Sequence, residues 1–558
     1  MDPPMYDVAI IGYGPTGMMA AILLGRAGHR VAVVERHRSL YNLARVGIVH
    51  DDVLRMFQEV GCIEQVLPAT AFLPVYELAR NGRVLLSSEV SPFATHGWPE
   101  YTSIYQPAFE TELDLIAKAL PTVELFQGET ATALHQADDH AAIIVSGEDG
   151  SARTLAGRYV IAADGGNSFV RRSLGVPCED LGFDQDWLVI DGKAKRPRSG
   201  LPAMRQFCEP EQPGVTLRMG PQHRRWSFMI FAGESPAEAM KPENVWRRLD
   251  RPEGATPEEY ELTRIAAYKF QSLLAERWRA GRVFLAGDAA HQMPPFLAQG
   301  LCSGFRDAHN LAWKLDLVLR GVASDALLDT YFAERGPNAR ATIVESMRVG
   351  RNVNERDREK AHRRDEELLA LQAEKERFGD KKQLIAFRVP GFDTGFRASG
   401  APGAGDIFPQ GRVRGIAEGL IDDVAGRGFL ILARTAHEPP FALPPGEAEF
   451  WKRLGGKILR MVAPPSSSGP EALVDIDGLY FRLMDEYRCD VLVTRPDHHL
   501  FGTCRSLAEL PLLIADLREQ IEGTASGDSS LTAPPPSPAR RMSSPRFGAD
   551  AKTFRNRP

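Results

Sequence analysis

The feature that most constrains this chain lies within its first 35 residues. Residues 6–12 read YDVAIIG, a β-rich apolar run that enters Gly12-Tyr13-Gly14-Pro15-Thr16-Gly17. A helical pattern occupies residues 18–28, and HRVAVVE at 29–35 reads as a second buried strand. This is a β-turn-α-β unit with GxGxxG at its first turn, so the chain has to fold as an α/β protein there. Gly12 allows the tight turn, Gly14 lets a pyrophosphate approach the backbone, and Gly17 lets helix and strand pack closely. The helix N-terminus offers unpaired N–H groups and a partial positive charge to phosphates. Glu35 closes the second strand, where an acidic side chain can take a ribose hydroxyl pair. The motif points to a dinucleotide but does not separate NAD from FAD.

The chain has 558 residues, enough for about three domains. Its 67 basic and 73 acidic residues leave a net charge of −6, which argues against a nucleic-acid partner. Its apolar runs are strand-length, far short of the ~20 residues that span a bilayer, so no membrane association is expected. Residues 1–6 lead straight into a strand without a basic-then-apolar leader. The six cysteines (62, 178, 208, 302, 489 and 504) form no CxxC pair. That pattern fits a reduced, cytoplasmic protein with no metal site.

Two further motifs decide between the dinucleotides. Residues 159–165 read YVIAADG, and residues 282–288 read RVFLAGD, followed by AAHQMPP. Each is a short strand that delivers an Asp beside a Gly. Gln299-Gly300-Leu301-Cys302 then opens a helix reading FRDAHNLAWKLDLV over 305–318. With these three motifs in this order, and with the blocks AGDAAH and RDAHNLAWKL, the chain resembles the single-component flavoprotein aromatic hydroxylases. Within them it looks most like the phenol and 3-(3-hydroxyphenyl)propionate hydroxylase branch. The resemblance covers nearly the whole chain except its last few dozen residues.

The resemblance implies an FAD-binding, Rossmann-like domain of the GR2 type at 1–175 and 267–340. It implies an inserted antiparallel-sheet substrate domain at 176–266, a helical connection at 341–400 and a thioredoxin-like domain at 401–522. In that C-terminal domain, packing or a homodimer contact is the expected role. A Ser/Pro-rich tail at 523–558 should be disordered. The implied cofactor is FAD, with NADH or NADPH and O₂ as co-substrates.

The same resemblance assigns residues. Gly12, Gly14, Gly17 and Glu35 would hold the ADP half of FAD. Arg36 would lie beside the adenine or ribose, or else be a surface arginine. Arg45 would reach the pyrophosphate, and Gln106 the ribityl chain, unless Gln106 only forms a turn. Asp288 would accept from a ribityl hydroxyl. Gly300 and Leu301 would present backbone N–H groups to the flavin N1–C2=O edge, where reduction develops negative charge. Asp164 and Arg171 would organise the junction between FAD and the pyridine-nucleotide approach rather than do chemistry, with a strand-end turn as the plain alternative for Asp164. Family members often carry an amide where this chain has Cys302, and nothing marks a base that would make Cys302 a nucleophile.

The implied reaction is hydroxylation of a small phenolic substrate ortho to its hydroxyl, most like 3-(3-hydroxyphenyl)propionate. Arg205, Arg224 and Arg225 are candidates for a substrate carboxylate, or else exposed residues of a sheet edge. His50 is the one candidate helper for phenol deprotonation, against a structural histidine. His291, beside the GD motif, is a weaker one. Two rivals stay open: a tailoring hydroxylase of a larger polycyclic or polyketide phenol, and a flavin-binding interaction protein. A halogenase would show WxWxIP, which is not found.

Overall fold

The computed structural model describes residues 4–196, 200–253, 255–378, 389–435, 442–464 and 471–523. The chain divides into two compact units. The first comprises Met1–Ala94, Trp98–Leu319 and Leu328–Pro390, and the second is centred on Gly391–Pro558. The Ser/Pro-rich tail expected to be disordered lies, from 524 onward, outside the described residues.

A sheet with a parallel core organises the first unit. Its strands run Val123–Gln127, Val31–Glu35, Met5–Ile11, Ala152–Ala162 and Val283–Leu285 in that spatial order, each parallel to its neighbour. The register places Val8 between Val31 and Tyr159 and Ile11 between Val34 and Ala162. The first two strands are nearly continuous apolar runs because both faces of a parallel sheet are covered. The helix Pro15–Arg26 follows the first strand, with Pro15 at its start, where the missing N–H costs nothing. The ends of Met5–Ile11, Ala152–Ala162 and Val283–Leu285 lead into the GxGxxG, DG and GD turns, so topology alone gathers the three motifs.

The second sheet of this unit has eight strands. Tyr260–Ala275, Cys178–Ala194, His223–Met229, Gly214–Met219 and Met204–Phe207 are successive antiparallel neighbours; Val75–Arg80 then joins parallel, with Arg83–Glu89 antiparallel at the edge. Its alternation sorts residues onto two faces. Leu188, Ile190, Phe207, Trp226 and Phe228 pack with Val245 and Leu249 of the helix Pro242–Glu253. The opposite face carries Trp187, Asp191, Gln206, Arg225 and Arg264, with both arginines donating to the Ala44 carbonyl. Two charged helices, Thr330–Val353 and Arg358–Phe378, make up most of the expected helical connection.

The second unit holds a seven-stranded mixed sheet. Lys457–Val462 runs parallel to Leu430–Arg434, and Val491–Thr494 and Leu500–Cys504 follow antiparallel, closed by the helix Leu510–Glu522. Leu432, Leu492, Tyr480 and Met484 anchor its core. Among the described residues no helix is long and apolar enough to cross a membrane.

Candidate active site

Glycines show how closely the three turns meet. Gly12 has φ +101°, and a Cβ there would strike the Ala163 carbonyl beside Asp164 of the DG turn. At Gly17 it would strike the Gly12 carbonyl. Added carbons at Gly287 and Gly304 would both meet Thr16, so the GxGxxG turn, the GD turn and the helix Gln299–Leu319 touch at one threonine. Gly14 differs: nothing lies within 4 Å of its added Cβ, so the space above it is open.

Glu35 sits at the end of its strand as expected. Its Oε2 accepts from the Tyr13 N–H at 2.8 Å and its Oε1 from the His37 N–H at 2.9 Å, which couples the strand end to the turn. Arg36 is exposed, and its Nε donates to the neighbouring His37 Nε2 at 3.2 Å. Gln106 is buried, and its Oε1 accepts from the backbone N–H groups of Arg45 and Val46 at 2.6 and 2.7 Å. Its amide nitrogen donates to Glu110 at 2.6 Å. The amide thereby fixes the Arg45 segment. The Arg45 guanidinium is half exposed, 3.5 Å from Glu110 and 5.2 Å from the Tyr41 ring.

Asp164 Oδ2 accepts from the Val170 N–H at 3.1 Å, while its Oδ1 is buried without a partner. Arg171 donates to the Ala289 carbonyl and the Gly166 carbonyl, both at 2.8 Å. It ties the DG turn to the GD turn. Asp288 opens onto the cleft, but the fold surrounds it. Burial pushes its carboxyl above the ordinary range, against the pull of His291 and Arg45.

His291 is buried. Its Nε2 lies 2.7 Å from Asp307 Oδ2, which also accepts from the Gly287 N–H at 2.9 Å. Arg335 donates to the other Asp307 oxygen at 2.9 Å. Burial alone would raise Asp307, but His291, Arg335 and the Gly287 N–H together pull it below its ordinary value. This cluster fixes the backbone of the GD turn. Asp307 was one of the residues sequence reasoning missed, although it stands in the RDAHN block.

Gln299 starts the helix that places Gly300 and Leu301 at its N-terminus. The preceding Ala298 is left-handed, with φ 55°, a strain of about 1–2 kcal/mol in a non-glycine residue. Its carbonyl takes the Cys302 thiol at 3.4 Å, and burial pushes that thiol up to about 12. His50 is 3% exposed and lies 4.4 Å from the Tyr101 ring, centroid to centroid. Its Nε2 is 2.8 Å from Gln299 Nε2 and 3.2 Å from the Leu297 carbonyl. Burial, with Arg306 adding to it and Asp52 opposing, lowers the imidazole to about 4.

The arginines nominated for a carboxylate are already engaged. Arg225 holds Asp191 through two bonds of 2.7 and 2.8 Å and also donates to the Ala44 and Arg45 carbonyls, each at 2.7 Å. Arg205 pairs with Glu77 at 2.7 Å, on the face turned from the cleft. Arg224 donates to the Pro202 carbonyl at 2.8 Å. None is an exposed edge residue either: Arg224 and Arg225 are buried. Pattern could nominate basic residues, but their partners lie on other strands.

A parallel-sheet dinucleotide fold whose GxGxxG, DG and GD turns converge beside an antiparallel sheet defines a flavoprotein of the aromatic hydroxylase class. Residues 5–346 match the model of the FAD binding domain family, and residues 405–520 match the HcaD C-terminal domain. A probable NADH-specific resorcinol 4-hydroxylase from Rhodococcus jostii (strain RHA1) is 38% identical over 94% of this chain and 97% of that protein. A 3-(3-hydroxy-phenyl)propionate/3-hydroxycinnamic acid hydroxylase from Mycolicibacterium smegmatis is 34% identical over 90% and 91%. Among solved structures, the flavin-dependent monooxygenase PieE superposes with a TM-score of 0.77 at 20% identity, over 93% of this chain and all of that one. The chain belongs to the FAD-dependent aromatic hydroxylases, and its cofactor is FAD.

Proposed function

We propose that this enzyme hydroxylates a small phenol ortho to its existing hydroxyl, using FAD, NADH and O₂. The meeting of the DG turn with Gly12, and of the GD turn and the helix Gln299–Leu319 with Thr16, carries the reading, because it brings together motifs far apart in the chain. The residues fit the cofactor. Open space over Gly14 admits a pyrophosphate, and Asp288 presents an acceptor toward the cleft. Gly12, Gly14, Gly17 and Glu35 would hold the ADP half, with Arg45 on the phosphates. Arg36 takes no part: its exposed contact with His37 supports the surface reading. Gln106 acts by shaping the Arg45 segment. Asp164 and Arg171 set the turns, and Gly300 and Leu301 offer N–H groups at a helix N-terminus, where developing negative charge is stabilised.

Bound there, FAD would supply hydride acceptance from NADH and activation of O₂, so that one oxygen atom would enter the ring and the other leave as water at the expense of NADH and a proton. The protein orients the phenol against the sheet face of Trp187 and Gln206 and excludes water. With Arg205 and Arg225 committed to Glu77 and Asp191, a phenol without an acidic arm, such as resorcinol, is favoured over 3-(3-hydroxyphenyl)propionate. The β-α-β and β-β-α order of the C-terminal sheet supports a thioredoxin-like domain there. Lacking CxxC, that domain serves packing or homodimer contact.

The test is NADH oxidation with resorcinol, simple phenols, 3-(3-hydroxyphenyl)propionate and a polycyclic phenol, measuring hydroxylated product and hydrogen peroxide together. Resorcinol should give ortho-hydroxylated product in step with NADH. Product only from the polycyclic phenol would replace this reading with a tailoring one. No product from any phenol, with flavin bound, would leave a flavin-binding protein.

A further inference from the structure

We propose that Gln299 is a positioning residue that holds His50 as its neutral Nδ1–H tautomer, making His50 a hydrogen-bond donor rather than a base. The argument follows donors and acceptors along a buried chain. Asp52 Oδ2 lies 2.5 Å from Arg306 Nε, and Arg306 Nη1 lies 2.8 Å from Gln299 Oε1. All four side chains, Asp52, Arg306, Gln299 and His50, are more than nine-tenths buried.

A guanidinium can only donate. The amide atom facing Arg306 is therefore the oxygen, and the nitrogen is left facing His50 Nε2 at 2.8 Å. An amide nitrogen also only donates, so His50 Nε2 must supply a lone pair and the ring proton sits on Nδ1. The opposite arrangement would let Nε2–H donate to the Leu297 carbonyl at 3.2 Å. It would require the amide to turn its N–H groups onto the Arg306 cation, at the shorter distance. Two donors facing across 2.8 Å cost more than two acceptors across 3.2 Å. Protonated His50 meets the same conflict, because its Nε2–H would face the amide N–H.

The charged groups around the ring agree. Asp52 would favour an imidazolium, but it is held by Arg306, which opposes one. Cys302 gives its thiol to the Ala298 carbonyl and stays uncharged. Among the described residues no acceptor meets Nδ1, so its N–H is available to a bound molecule. The chemical consequence rests on the hydroxylase reading above. His50 would stabilise a phenolate oxygen as a neutral donor, and the phenol proton would leave by another path.

The tautomer itself is independent of that reading. The experiment is histidine-selective ¹⁵N NMR on the FAD-loaded full chain, where two-bond proton–nitrogen correlations distinguish both tautomers and the imidazolium. His50→Gln assigns the signal. The wild type should show the Nδ1–H form in at least about tenfold excess, the ratio one net hydrogen bond sets, unchanged from pH 6 to 8.5. Gln299→Leu should reverse the preference to Nε2–H, now free to donate to Leu297. Gln299→Glu, whose carboxylate can only accept, should give Nε2–H or imidazolium. An Nε2–H or charged His50 in the wild type would overturn the proposal whatever the fate of the variants. An unchanged tautomer in either folded variant would also overturn it. Failure of the phenol assay with the expected spectra would sink the hydroxylase reading alone.

Discussion

The glycine turns and the sheet beside them build the same cleft by opposite means. At residues 12–17 and 287–304 the decisive fact is the absence of a Cβ, and the partner is backbone or a single threonine. On the sheet face the decisive groups are charged side chains with partners far away. Arg225 finds Asp191 34 residues back and the Ala44 carbonyl 181 back. The turns are specified locally and tolerate almost no change. The sheet is specified by pairing and tolerates change only in pairs.

The largest effect separates two glycines of one motif. Gly12→Ala meets both a positive φ and a backbone carbonyl, a cost of about 3–5 kcal/mol, and should prevent assembly of the domain. Gly14→Val enters open space, so the protein should fold with nearly wild-type Tm yet purify colourless. Flavin absorbance beside thermal melting checks both, and a yellow Gly14→Val protein would break the contrast. Next comes Arg225→Met, which leaves buried Asp191 with the Arg264 cation at 3.9 Å but without its two short bonds and should cost about 3 kcal/mol in denaturant unfolding. Adding Asp191→Leu should recover part of the loss. If the double variant is as unstable as the single one, the sheet is not organised by that pair.

His50 supplies a pH test. Its folded pKa is depressed to about 4, so the unfolded chain binds a proton that the fold does not between about 6.5 and 4. Stability from this site is present above 6.5 and is lost as pH falls through that window, by roughly 3 kcal/mol. His50→Gln should flatten the acid limb of the stability curve by about that amount. An identical limb would mean that His50 titrates normally. The smallest effect belongs to Arg205→Met: its pair with Glu77 is partly exposed, and its loss should cost about 1 kcal/mol or less, with substrate affinity unchanged. A large rise in KM for an acidic phenol would instead restore Arg205 as a carboxylate contact.

Much of this was legible in the chain itself. The GxGxxG, DG and GD turns and the helix after Gln299 are contiguous patterns with local causes: strand, turn glycine, helix N-terminus. Arg171 was readable as an organiser because it follows the DG turn directly. The partners of Arg225, Arg205 and His291 were not legible, since nothing near them in sequence tells that Asp191, Glu77 and Asp307 meet them. Asp52 and Arg306 passed unnoticed because each looks like an ordinary helix residue until the other arrives from 254 positions away.

What the amino-acid order determined alone is therefore the set of turns, and with them the class of cofactor, because backbone conformation answers to neighbours. The folded state decided which side chains are free to act. A buried donor or acceptor is defined by what it faces, and Gln299, His50 and Arg306 meet only after two sheets and a long helix have closed around them.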